Sequence, residues 1–208
     1  PIAPLPSGVG REFAGVVLAA GEGASDFRVG DEVIGTGEWV IGERVVAPEH
    51  LLVAKPTALP WTWAASIPVA IQTAAVAVAS QDPRPGDTVL VSAAAGGVGF
   101  FASQFAVRTG ARVIGTASER NHELLRELGV EPVNYGPGLA ERLRELAPDG
   151  LDVVLDHEGR ATIETALELG VPRERINTIS GYDGWYAVRY VGRKGLDREL
   201  VSGIAQEL

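Results

Sequence analysis

Apolar residues in this chain fall in short runs between glycine- and proline-rich turns, and their pattern changes near residue 56. Before that point, residues 13–20 form an apolar run bounded by Gly8, Gly10, Gly21 and Gly23. Residues 28–35 read as a turn leading into a strand, and 42–46 and 50–54 as two more strands around Ala47-Pro48-Glu49. Many tight turns between short strands predict a small barrel-like β-domain. Residues 56–60 read as a linker, and the alanine-rich stretch 61–79 as a helix broken at Pro68. Trp61 and Trp63 within it are read as packing residues at a domain junction.

From Pro85 onward the pattern alternates between buried-strand runs and helical periodicity. Strands are expected at 88–92, 111–116, 132–134, 151–156 and 175–179, with helices near 97–109, 119–128, 138–147 and 160–169. Leu124, Leu125 and Leu128 are expected to form one apolar stripe. Such alternation predicts an α/β fold, a doubly wound parallel sheet with right-handed crossovers. Residues 181–208 are expected to add one strand and one helix.

The first of these strands runs into Ala93-Ala94-Ala95-Gly96-Gly97-Val98-Gly99 and then directly into a helical pattern. Ala94, Gly96 and Gly99 occupy the three small-residue positions of the dinucleotide fingerprint, with alanine in the first. Small side chains let the backbone approach a phosphate, and a helix N-terminus offers it N–H groups and a positive dipole end.

Composition narrows the possibilities. The hydrophobic fraction is 46% and the charged fraction 22%, as in globular proteins, and no apolar window reaches membrane-spanning length. A net charge of −9 argues against a nucleic-acid partner. The chain has no cysteine, and His50, His122 and His157 are far apart, so no metal site is expected. There is no methionine, and the first residues are Pro1-Ile2-Ala3-Pro4, so the sequence is read as part of a longer polypeptide.

Taken together, the motifs resemble a medium-chain dehydrogenase/reductase of the zinc-independent quinone-oxidoreductase branch. The resemblance is carried by Gly10-Arg11-Glu12-Phe13-Ala14-Gly15-Val16-Val17, Val29-Gly30-Asp31-Glu32-Val33 and Pro85-Gly86-Asp87-Thr88-Val89-Leu90-Val91. It continues through the glycine turn, Gly115-Thr116-Ala117-Ser118, Leu128-Gly129-Val130 and Asp152-Val153-Val154-Leu155-Asp156. It implies a partial GroES-like catalytic domain over 1–60 and a Rossmann domain over 61–190. A C-terminal helix at 191–208 would lead back to the catalytic domain, and the active site would lie in the cleft between the domains. Against the family pattern, the catalytic domain's opening and closing strands fall outside the sequence, and the loop at 36–40 is short.

The cofactor follows from the second Rossmann strand. No acid ends it; Ser118, Glu119, Arg120 and Asn121 follow, a pattern that favours NADP(H) over NAD because a 2′-phosphate needs donors. Arg120 is alternatively a solvated helix-start residue. Candidate cofactor contacts are Ala95, Gly96, Gly97 and Val98 in the turn and Gly115, Thr116, Ser118, Arg120 and Asn121 around the second strand's end. Asp156 at the carboxyl edge, and Ile179 and Ser180 at the end of the next strand, complete the set read from the sheet. The resemblance adds Tyr135 beside the 2′-phosphate and Thr73 near the nicotinamide ribose. No residue is singled out as a general acid, and Asn121 stands where related enoyl reductases carry a lysine. The expected activity is NADPH-dependent, zinc-free reduction of a quinone or α,β-unsaturated carbonyl, by a cytoplasmic homodimer acting on a small molecule. The alternatives are an enoyl-thioester reductase and a catalytically inactive NADP-binding accessory protein.

Overall fold

The computed structural model describes residues 8–180 and 189–190. The chain divides into two compact units, and the division falls between Gln72 and Thr73, inside a helix.

The described part of the first unit is built on a three-stranded antiparallel sheet of order β1-β2-β3, with β1 at Glu12–Val16, β2 at Glu32–Thr36 and β3 at Leu52–Ala54. Phe13 faces Gly35 and Ala14 faces Ile34 across the first pair. Val33, Ile34 and Val53 are buried, while Val16 is exposed. The strand expected at 42–46 does not form, and Val46 is fully exposed. Two valines give that stretch strand propensity, but pairing decides whether a strand forms, and the described sheet ends at β3. Likewise the run 13–20 is strand only to Val16, and 50–54 begins with a 3₁₀ turn at Glu49–Leu51.

The helix expected over 61–79 is two helices, α1 at Trp61–Ala64 and α2 at Pro68–Gln81. The break expected at Pro68 is there: Pro68 stands at the first position of α2, where its missing N–H costs nothing. The tryptophans are less buried than expected. Trp63 is exposed, and Trp61 lies beneath Lys55, whose Nζ is 4.7 Å from the ring centroid.

In the second unit the alternation forms as read. The elements are β4 (Thr88–Val91), α3 (Gly97–Arg108), β5 (Arg112–Thr116), α4 (His122–Glu127) and β6 (Glu131–Val133). They continue with α5 (Leu139–Leu146), β7 (Val153–Asp156), α6 (Arg160–Glu168), β8 (Ile176–Thr178) and β9 (Arg189–Tyr190). The sheet order is β6-β5-β4-β7-β8-β9, all pairs parallel. That is the doubly wound order whose direction reverses between β4 and β7, opening a crevice at the carboxyl ends of those strands.

The core of this unit joins Leu90, Ile114, Val154 and Ile176 of the strands to Leu139 and Leu143 of α5 and Ile163 and Ala166 of α6. The leucine stripe of α4 is narrower than expected. Leu125 is fully buried, but Leu124, one helical step away, is 40% exposed. At the opposite end of the strands, Arg112 holds Glu131 through two hydrogen bonds of 2.8 and 2.7 Å, tying β5 to β6.

Candidate functional site

The glycine turn is shaped by backbone geometry. Ala93, the second residue after β4, takes a left-handed conformation (φ 48°), which is strained for a residue with a Cβ. Its carbonyl accepts from Gly96 N–H at 2.8 Å, closing the turn. Thr116 at the end of β5 fixes the turn from the side, its Oγ1 and carbonyl accepting from the N–H groups of Ala93 and Ala94 at 3.0 and 2.9 Å.

Three glycines perform three different tasks here. A Cβ at Gly99 would collide with the Ala93 carbonyl, so this glycine lets α3 close onto the turn. A Cβ at Gly115 would stand 2.7 Å from the Ala94 methyl, so this one lets β5 pass beneath it. At Gly97 a Cβ would meet nothing within 4 Å. Gly97 therefore faces open space, where a ligand's phosphate has room to approach.

The first turn of α3 contains no acid, and no side chain caps the helix. The N–H groups of its first residues have no helical partner, an arrangement that suits an anion in a helix of three turns.

Beside the turn lies a cavity of about 490 Å³. Ala93, Ala95 and Gly96 form its floor at the turn, and Thr116, Ala117, Ser118 and Asn121 the wall after β5. Tyr135, Gly136 and Leu139 close one side, and Glu158 with Ala161, Thr162 and Thr165 of α6 the other. Six of the expected contacts (Ala95, Gly96, Thr116, Ser118, Asn121 and Tyr135) thus line one space. Gly97 and Val98 adjoin it in the first turn of α3, and Gly115 lies buried beneath it.

The remaining expected residues are placed elsewhere. Arg120 is exposed in the 3₁₀ turn Glu119–Asn121 and is not part of the cavity wall. Thr73 is half-buried on α2, and Ile179 and Ser180 are half-buried beyond β8; none of the three lines the cavity.

Asp156 is fully buried and works as a structural hub. Ser92 and Thr178 donate to its two oxygens at 2.8 and 2.6 Å, and the Gly159 N–H donates at 3.0 Å. Ser92 Oγ in turn accepts from the N–H of His157 at 2.7 Å. This network joins β4, β7 and β8 at the reversal point and sets the chain direction from β7 into α6.

His157 Nδ1 lies 3.2 Å from the Ser92 carbonyl, which fits donation from a protonated Nδ1, while Nε2 is buried without a partner. Burial pushes the imidazole's pKa below its usual 6.5, outweighing the Ser92 contact and the Asp156 charge that act to raise it.

The α6 wall was not legible as part of the site. Its apolar and threonine residues, Ala161, Thr162 and Thr165, look like ordinary helix positions, and only the fold brings them opposite the β5 loop. Among the described residues no three His, Cys, Asp or Glu side chains gather as metal ligands. No described helix is long and apolar enough to cross a membrane.

Comparison with known proteins gives a consistent picture. Residues 97–186 match the family model described as zinc-binding dehydrogenase. A quinone oxidoreductase from Pseudomonas aeruginosa is 38% identical over 177 residues, covering 81% of this chain and 54% of that protein. A synaptic vesicle membrane protein VAT-1 homolog from Rattus norvegicus is 37% identical over 183 residues, covering 84% and 45% respectively. The chain thus spans about half the length of these relatives.

Among solved structures, an NAD-dependent alcohol dehydrogenase superposes with a TM-score of 0.83 at 32% identity, over 99% of this chain and 73% of that one. The CurK enoyl reductase superposes with a TM-score of 0.80 at 30% identity, over 96% and 63%.

Proposed function

The chain belongs to the medium-chain dehydrogenase/reductase superfamily, in its quinone-oxidoreductase-like branch, and from that premise we propose that it takes part in NADPH-dependent reduction of a quinone or α,β-unsaturated carbonyl. The observation that carries the reading is the glycine turn of α3 opening onto a cavity of dinucleotide scale. The residues present fit such a cofactor. Gly97 leaves space at the helix N-terminus for a pyrophosphate, and Thr116, Ser118 and Asn121 stand where the adenosine ribose would lie.

When bound, the cofactor supplies a hydride for an electron-poor carbon of the substrate. The chain's own contribution is to hold and orient it. The α3 N-terminus neutralises phosphate charge, and the Ser92–Asp156–Thr178 network fixes the carboxyl ends of three strands beside it. NADPH is preferred in this reading because Ser118, Asn121 and Tyr135 offer donors in the cavity wall, no acid ends β5, and Arg120 stands next in sequence. A homodimer and a cytoplasmic location belong to the same reading, and sedimentation velocity measures the first.

Oxidation of NADPH, followed at its nicotinamide absorbance with a panel of quinones and enones, tests the activity. Turnover of at least one panel member is expected. NADPH binding without turnover of any member would favour the accessory-protein reading, and turnover confined to enoyl thioesters the biosynthetic one.

A further inference from the structure

The cavity wall contains one charged side chain. Of its fourteen residues, thirteen are alanine, glycine, leucine, serine, threonine, asparagine or tyrosine, and the other is Glu158. This carboxylate sets the polarity of the wall, since beside a phosphate-bearing ligand a second negative charge is favourable only where it meets a donor.

Glu158 is held in place on both sides. Its N–H donates to Ser92 Oγ at 3.1 Å and to Asp156 Oδ1 at 3.2 Å, so its backbone belongs to the rigid network at the end of β7. On the other side Thr162, one turn into α6, donates its hydroxyl to Oε2 at 3.2 Å. Glu158 is an exposed residue, and Thr162 supplies the one side-chain hydrogen bond to its carboxylate among the described residues, leaving Oε1 open.

Position then limits what it can meet. On the nucleotide reading, the pyrophosphate lies at Gly96 and Gly97 and the ribose at the end of β5, by Thr116 and Ser118. Glu158 follows β7, which lies two places from β5 across β4. At about 4.8 Å between neighbouring strands, the separation is roughly 10 Å, close to the reach of a nucleoside from ribose to the far edge of its base. The lining also includes Ala93, Ala95 and Ala161, small apolar side chains that leave room for a base. A carboxylate accepts hydrogen bonds and donates none. The base edge that meets it must therefore carry donors.

We infer that Glu158 reads the exocyclic amine of adenine, making this residue the one that selects an adenine over an oxo-purine in the cavity. The inference rests on the nucleotide reading above. An oxo-purine such as hypoxanthine puts a carbonyl oxygen where the amine stood, opposite the carboxylate, and its N1–H donor lies one ring position away, so the hydrogen bond from the exocyclic group is lost.

The test is equilibrium titration of the full chain with NADPH and with its hypoxanthine counterpart, followed by fluorescence. The wild-type chain is expected to bind the adenine form about tenfold more tightly, the usual scale for a hydrogen bond to a charged group. Glu158→Ala should bring the two affinities together, and Glu158→Gln, whose amide both donates and accepts, should do the same with an unchanged fold. An unchanged adenine preference in both variants overturns the assignment. So does equal weakening of both nucleotides, which would place the carboxylate on a ribose hydroxyl or in the fold. Equal binding of the two nucleotides by the wild type refutes it and leaves the NADPH reading standing, whereas binding of neither removes both.

Discussion

A single methyl group separates two glycines that lie two residues apart. Gly97→Ala adds it in open space at the first position of a helix, where alanine is favoured, so the melting temperature should stay within about 2 °C of wild type. NADPH affinity should nevertheless fall by about tenfold or more, because the methyl occupies the phosphate's approach. Gly99→Ala drives its methyl into the Ala93 carbonyl, and a thermal melt should show destabilisation of about 1–3 kcal/mol before any ligand is added.

Arg120 tests the choice between cofactors. Replacement by alanine should weaken NADPH by about tenfold and leave NADH unchanged, as read by parallel titrations. Equal loss for both would show that the guanidinium has no part in recognising the 2′-phosphate. His157 adds a pH dependence. Burial lowers its pKa in the folded chain, so the unfolded chain takes up the proton more readily. The stability that neutral His157 preserves is fully present above its ordinary 6.5 and is lost as the pH falls below that value toward the depressed folded pKa. Denaturant melts between pH 7.5 and 5 should show that loss, and His157→Gln should flatten the slope.

At the scale of elements, the end of the sheet depends on one buried carboxylate. Ser92 of the β4 end, Thr178 of β8 and the amide of Gly159 before α6 all meet at Asp156. Asp156→Asn keeps the shape but turns one acceptor into a donor facing hydroxyls and amides. Chemical denaturation should register a loss of about 2–4 kcal/mol, within the range for a broken buried network.

This network also shows where sequence reading reached its limit. Asp156 was recognisable as the residue closing a strand at the carboxyl edge, and its position suggested ligand contact. What sequence could not reveal is that its two oxygens are already engaged by partners 64 and 22 residues away. The turn from Ala93 to Gly99 was legible because strand, small residues and helix lie consecutively. Arg120 was equally visible, but whether a surface arginine points into a cavity depends on a 3₁₀ turn that periodicity does not encode. The missing strand at 42–46 fails for a related reason, since alternation specifies a face but not a partner.

Across the whole chain, the six-stranded parallel sheet and the family it belongs to imply a nicotinamide cofactor. In the first unit Val9, Val16, Leu18 and Ile41 are exposed, and the chain spans about half of its relatives' length. Which nucleotide the chain binds can be measured on the chain itself. Calorimetric titration of the wild-type chain with NADPH, and separately with NADH, tests the central claim. One NADPH per chain, bound about tenfold more tightly than NADH, is the predicted result. Absence of binding heat together with an unshifted melting temperature for both nucleotides would contradict it.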